Sequence, residues 1–196
     1  ALDSKFLDNV LVSTDSEEIA LVSIKYGADV PFMRPDILST SDAKSIDTVM
    51  HALDYMIHQG QEYDYVVLLQ PTSPLRETDD IDSAIKQIIS RCDNSLISVC
   101  RVEHSPKWSN TIKEDLSMVG FLDNRLINKR SQDLPNYYRL NGAIYIASSN
   151  VLRTMSNPSF FLKDKVSAFI MPISRSVDID CEDDLHYAEF LINLQK

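Results

Sequence analysis

Four consecutive apolar residues, Val66-Val67-Leu68-Leu69, stop abruptly at Gln70-Pro71-Thr72-Ser73-Pro74-Leu75-Arg76, and this junction constrains the fold more than any other stretch of the chain. An unbroken apolar run bounded by polar residues reads as a strand covered on both faces, which belongs to a sheet layered between helices. In open sheets of that kind, ligands gather beyond the carboxyl ends of the strands. Pro71 and Pro74 withhold two backbone donors and restrict φ, so they end the strand and stiffen the loop that presents Gln70, Thr72, Ser73 and Arg76. The same residues also suit an ordinary strand-to-helix turn, with Thr78 as N-cap and Asp79 and Asp80 in the first helical turn.

The rest of the chain repeats this alternation. Strands are expected at Asn9 to Ser13 and Asp29 to Phe32, with a helix from Ser16 to Tyr26 between them that ends at Gly27, a residue suited to a left-handed position. Ile46, Val49, Met50, Leu53 and Ile57 fall three or four apart and make one helical stripe, as do Ile81, Ala84, Ile85, Ile88 and Ile89 after the proline loop. Ser95 to Arg101, Gly142 to Ala147 and Val166 to Met171 read as further strands, and a closing helix from Glu182 to Leu194 turns Leu185, Ala188, Leu191 and Ile192 inward. This rhythm predicts an α/β fold, a mostly parallel sheet with helices on both faces. Between about 102 and 140 the rhythm breaks into short mixed segments, which marks an arm or inserted subregion rather than a second domain.

A chain of 196 residues with 44% hydrophobic content can bury a full core as one domain. No apolar run approaches the roughly 18 residues of a membrane span, and no leader-like segment opens the chain, so a soluble cytoplasmic protein without membrane partners is expected. Cys92, Cys100 and Cys181 are odd in number and not spaced as a zinc or redox pair, which leaves them packing roles. A formal charge of -10 disfavours nucleic acid and anionic membranes as partners, because the far field repels both. Small anions remain open, provided that cations gather locally.

Two constellations supply candidate chemistry. In Ser176-Val177-Asp178-Ile179-Asp180 an extended backbone turns Val177 and Ile179 to the core and aims Asp178 and Asp180 together the other way. Paired carboxylates of this kind suit Mg²⁺, completed by waters and substrate phosphates. Asp180, with Glu182, Asp183 and Asp184, equally suits the N-terminus of the closing helix. The second constellation is basic: Lys129-Arg130 precedes Arg139-Leu140-Asn141-Gly142, where a strand opens with residues that let backbone approach a ligand. Together with Arg34, Arg76 and Lys107 it forms a cationic set in an acidic chain, and forked guanidinium groups fit carboxylate or phosphate.

The segments LQPTSPLR (69 to 76), RLNGAIY (139 to 145) and SVDIDCEDDLHYAE (176 to 189), in this order, resemble the acylneuraminate cytidylyltransferases, also called CMP-sialic acid synthetases. VSTDSEEIA at 12 to 20, Arg34-Pro35 after a short strand and Phe160-Phe161 before the Val166 strand add to a likeness that spans 1 to 196. The resemblance implies a Rossmann-like nucleotide-diphospho-sugar transferase fold with a dimerisation arm at 102 to 140. It also implies an enzyme that joins CTP to a nine-carbon 2-keto sugar acid, releases pyrophosphate and uses Mg²⁺. On the family pattern Asp178 and Asp180 hold the metal. Arg34 and Ser45 contact the nucleotide, and Gln70, Lys107, Arg139 and Tyr145 line the sugar pocket. Thr72, Ser73, Arg76 and Asn141 border that pocket, and Phe160 and Phe161 are offered across a homodimer interface.

Two features depart from the family pattern. Its members begin with a strand and a Gly-Ser-Lys-rich loop around the CTP phosphates, and Gly27, Gly60, Gly120 and Gly142 are each isolated here. The expectation is that the chain from Ala1 onward is inactive and less stable without that loop. Before Gln132-Asp133-Leu134-Pro135 the family carries Arg where this chain has Ser131, and Arg130 is the expected substitute. Legionaminic, pseudaminic and octulosonic acids are alternative sugars, and a catalytically silent fragment is the alternative of a different kind.

Overall fold

A computed structural model describes residues 1–194, the side chain of Ser131 excepted. In chain order the elements are α1 (Glu17–Lys25), α2 (Ser45–His58), β1 (Tyr65–Leu68), α3 (Thr78–Arg91), β2 (Ser95–Arg101), β3 (Tyr138–Ser148), α4 (Ser149–Thr154), β4 (Val166–Met171) and α5 (Glu182–Leu194). The strands form one sheet in the order β1-β3-β2-β4.

That sheet is mixed rather than mostly parallel. β2 and β4 run parallel, but β3 is antiparallel to both of its neighbours, β1 and β2. A parallel return needs a crossover of a dozen or more residues that is usually helical. The segment between β2 and β3 instead carries three short 3₁₀ turns, Pro106–Trp108, Asn124–Leu126 and Ser131–Asp133. It closes on itself: Arg101 sits opposite Tyr138, and the Val102 N–H donates to the Tyr137 carbonyl at 3.0 Å. The irregular arm is therefore the long loop of a β2–β3 hairpin.

The strands expected at Asn9 to Ser13 and Asp29 to Phe32 reduce to one parallel bridge, Leu11 with Asp29. Each segment has only the other as a ladder partner among the described residues, and Pro31 cannot extend the pairing as a donor. The helix between them forms as expected. Ser16 Oγ accepts from the Ile19 N–H, and Gly27 adopts φ +93° past its end. The N-terminal boundary of α3 differs by one residue: Glu77 is the cap, and its N–H donates to the Asp80 carboxylate at 3.0 Å.

Alternation along β2 divides the core. Leu96 faces α3 with Ile81, Ala84, Ile85, Ile88, Ile144, Ile146 and Met171, while its neighbour Ile97 faces Val49 of α2, Leu152 of α4 and Phe160. Ile89 lies at the margin of its stripe and is 50% exposed. A third, smaller cluster joins Leu75 of the proline loop, Val177 and Ala188, with Ile179 and Leu191 against it. This last cluster presses α5 and the acidic segment onto the proline loop. Leu185 and Ile192 remain largely exposed, so α5 buries a narrower stripe than its period suggests.

Candidate active site

The site starts from a polar residue in the wrong place. Ser98 lies in the middle of β2 with no exposed surface, between buried Ile97 and half-buried Val99. A hydroxyl there costs free energy unless it is bonded. Its partner is a break in the sheet: Ile97 pairs with Tyr145 and Val99 with Leu140, so Asn141, Gly142, Ala143 and Ile144 of β3 all sit opposite Ser98. The strand bulges outward over these residues, and Gly142 at φ +69° supplies the left-handed turn.

Hydrogen bonds account for the bulge. Ser98 Oγ donates to Asn141 Oδ1 at 2.6 Å and accepts from the Ile144 N–H at 2.7 Å. Asn141 Nδ2 donates to Ser176 Oγ at 2.9 Å and reaches Met171 Sδ at 3.3 Å. Ser176 Oγ passes on to the Pro172 carbonyl at 2.7 Å. Asn141 has no exposed surface, and both ends of its amide are committed within the protein. It shapes the site from beneath rather than reaching into it.

What the bulge brings together is oxygen. A methyl group built on Gly142 would lie 2.9 Å from Asp178 Oδ2, 2.9 Å from Gln70 Oε1 and 3.2 Å from Ser73 Oγ. Asp178 Oδ1 is buried and has no hydrogen-bond partner. A carboxylate oxygen left bare in this way fits a cation or a donor supplied by a ligand. Tyr145, three residues along β3 from Gly142, packs on Phe160 with ring centroids 5.5 Å apart. Burial, and then the Asp178 charge, push its phenol above the ordinary tyrosine range, so it stays a protonated donor.

The proline loop is stitched to this bulge. Ser73 Oγ donates to the Asn141 carbonyl at 3.1 Å, and the Ile179 N–H donates to the Thr72 carbonyl at 2.8 Å. Arg76 Nη1 donates to the Ala143 carbonyl at 2.6 Å and to the Gln70 carbonyl at 3.4 Å. Burial lowers the pKa of Arg76, with Asp80 countering. Arg76 thus cross-links the strand ends instead of facing open solvent. On the acidic side Arg175 grips Asp80 through two bonds of 2.9 Å, which raises the Arg175 pKa and pins the start of the acidic segment to α3.

Of the other expected cations, only Arg139 reaches this group. Its Nη2 donates to the Ser176 carbonyl at 3.4 Å and pairs with Glu103 at 3.3 Å, and the side chain is 39% exposed. Arg34 bonds Asp15 at 2.7 Å and Ser39 at 3.0 Å, holding Asp15 below the usual carboxylate range. Ser45 is exposed at the first position of α2. In the arm, Lys107 lies near enough to Asp123 to help Arg125 hold that carboxyl at about 2, while Arg130 pairs with Asp133 at 3.2 Å.

Two expectations need correction. Phe160 is not offered outward: it is 6% exposed in the core over Tyr145, and its carbonyl accepts from Ser95 Oγ at 2.6 Å. Phe161 alone is exposed, at 59%. Asp180 is exposed, and the acid that serves the start of α5 is Asp184, which accepts from the Asp180 and Cys181 N–H groups at 3.1 Å each. No three acidic, histidine or cysteine side chains cluster as a metal site among the described residues. The donor set instead fits a hard cation that takes one or two carboxylates and fills its remaining positions from water and phosphate. Sequence reasoning passed over Ser98, Ser176, Arg175 and Glu103. A serine inside an otherwise apolar strand was the available signal for the first.

A family described as Cytidylyltransferase matches residues 1–161. The chain is 34% identical over 202 residues to the CMP-N,N'-diacetyllegionaminic acid synthase of Legionella pneumophila, covering 100% of this chain and 83% of that protein. It is 33% identical over 191 residues to the pseudaminic acid cytidylyltransferase of Campylobacter jejuni, covering 97% and 81%. Against the N-acylneuraminate cytidylyltransferase of Escherichia coli it is 33% identical over 190 residues, covering 96% of this chain and 43% of that one. Among solved structures, a CMP:2-keto-3-deoxy-manno-octonic acid synthetase complexed with CTP shares the fold, with a TM-score of 0.66 at 14% identity over 100% of this chain and 85% of its own.

Gly142→Ala tests the bulge directly. The left-handed backbone and the crowding of Asp178 and Gln70 should together cost about 1–3 kcal/mol in urea unfolding. A variant as stable as the parent would show that the bulge relaxes freely.

Proposed function

This chain belongs to the cytidylyltransferase family, and from that membership we propose how its residues join CTP to a sugar acid. The enzyme is a nucleotidyltransferase that couples CTP to a sialic acid or a related nonulosonic acid, giving the CMP-sugar and pyrophosphate. Its relatives are named for legionaminic, pseudaminic and N-acylneuraminic acids, and a panel of these three acids with CTP ranks them as substrates for this chain.

The observation that carries the site assignment is the buried, partnerless Oδ1 of Asp178 beside Gln70 and the Gly142 backbone. On this reading Asp178 and the exposed Asp180, two residues on, would hold Mg²⁺. When bound there, the ion neutralises charge on the triphosphate. Arg139 takes the sugar carboxylate. Gln70 and the protonated Tyr145 phenol supply hydrogen bonds to its neighbours. The sugar's anomeric hydroxyl attacks the α-phosphorus, its new O–P bond replaces the bond to pyrophosphate, which leaves in line with the electron pair, and the hydroxyl proton passes to solvent water. The protein's part is to position the two substrates and to stabilise the negative charge that develops.

Arg34 and Ser45 serve the nucleotide, Lys107 and Arg130 the approach from the arm. Thr72, Ser73 and Arg76 act through the loop they hold. A second copy of the chain completes the assembly, with the arm and Phe161 as its contacts. That role is supported by Leu116, Val119, Ile127 and Phe161, each of which stands at least 59% exposed. Light scattering at micromolar concentration should return twice the chain mass, and a monomer would remove the arm's role.

Asp178→Asn keeps the shape and removes the charge, so turnover should fall about 10²-fold or more while the melting temperature moves little. Unchanged Mg²⁺-dependent turnover would place the metal elsewhere. Arg139→Ala should raise the KM for the sugar acid about 30-fold, the low end for a truncated charge pair because the side chain is partly exposed, with little effect on the KM for CTP. Equal effects on both KM values would move Arg139 to the triphosphate.

A further inference from the structure

Every group in the Ser98–Asn141–Ser176 chain uses its hydrogen-bonding capacity inside the protein, and the chain spans three separate segments. At one end it fixes four residues of β3 opposite a single residue of β2. At the other it holds the backbone two residues before Asp178. Between these anchors lie the two groups assigned to the substrates. Gly142, adjacent to Asn141, is the surface against which Asp178 Oδ2 and Gln70 Oε1 sit. The Ser176 carbonyl is an acceptor for Arg139 Nη2. Moving Ser176 therefore moves the carboxylate and the guanidinium together.

Stability alone does not require this arrangement. A regular ladder with apolar side chains at 98 and 141 would fill the same core, and replacing a buried polar set by apolar groups of similar shape is often neutral or favourable. What the polar set adds is one particular displacement of β3, the displacement that brings the Gly142 backbone up to Asp178. The geometry points to Ser98 and Ser176 as positioning residues: acting through Asn141, they set the spacing between the Gly142 bulge and the Asp178 carboxylate and the direction of the Arg139 guanidinium. The inference rests on the assignment of Asp178 to the metal and of Arg139 to the sugar carboxylate.

The test is made in the full-length enzyme with Ser98→Ala, Ser176→Ala, Ser176→Thr and Asp178→Asn side by side. In each alanine variant the Mg²⁺ concentration for half-maximal rate should rise about 10-fold or more, the usual effect of removing a residue that orients a metal-holding group. Manganese binding in the presence of a non-hydrolysable CTP analogue, followed by calorimetry, should weaken by a similar factor. Ser176→Ala should also raise the KM for the sugar acid, because the Arg139 acceptor shifts with it. Ser176→Thr, which restores the hydroxyl, should recover both quantities. If Ser98→Ala does not fold, Ser98→Cys keeps the shape with a weaker donor and gives the same readouts.

Alanine variants that melt earlier yet keep parental metal affinity, half-activation and KM would make both serines structural only and overturn the inference. Loss of metal binding in Asp178→Asn with parental values in the serine variants rejects this inference alone. Parental metal binding in Asp178→Asn rejects the metal assignment on which it rests.

Discussion

One buried amide organises the site. Asn141 spends its carbonyl oxygen on Ser98 and its nitrogen on Ser176, with no surface left for solvent. In a low-dielectric core such bonds are strong, and an unpaired group is correspondingly costly, so the set holds one arrangement and disfavours its neighbours. The bulge in β3, the approach of Asp178 to Gly142 and the anchoring of Arg139 on the Ser176 carbonyl follow from that arrangement. So does the attachment of the proline loop, since Ser73 bonds the Asn141 carbonyl and Arg76 the Ala143 carbonyl.

Charge is distributed by the same logic. An acidic protein that handles two anionic substrates must place a few cations well, yet the structure spends two of its best-placed guanidinium groups on itself. Arg76 binds strand carbonyls, and Arg175 binds the Asp80 carboxylate, whose side chain is 5% exposed. Removing either partner of a buried pair strands the other charge, which makes Arg175 a stable anchor for the acidic segment. Beside its bond to the Ser176 carbonyl, Arg139 keeps a partly exposed pair with Glu103, a contact that screening weakens and a substrate carboxylate can displace.

The layered fold and its core were legible because they depend on periodicity. The α3 stripe, the ends of β2 and β4 and the limits of α5 all follow from apolar spacing, and the inward turn of Val177 and Ile179 follows from the two-residue period of an extended chain. The direction of β3 was not legible. A strand's sequence reads the same whichever way it runs, and only the closed arm between Arg101 and Tyr138 decides that β3 returns antiparallel.

The candidate site divides in the same way. Residue chemistry drew attention to Asp178, Gln70 and Arg139, because carboxylates, amides and guanidinium groups at strand ends have few other uses in a buried sheet, and the family resemblance added Tyr145. Tertiary structure decided which neighbours serve them. It sent Phe160 into the core, gave Arg34 to Asp15 and Arg130 to Asp133, and made Asn141 a support rather than a contact. The physical reason is range. Local sequence sets the face and the period of each side chain, whereas a hydrogen bond between Ser98 and Asn141 depends on two segments 43 residues apart meeting at 2.6 Å.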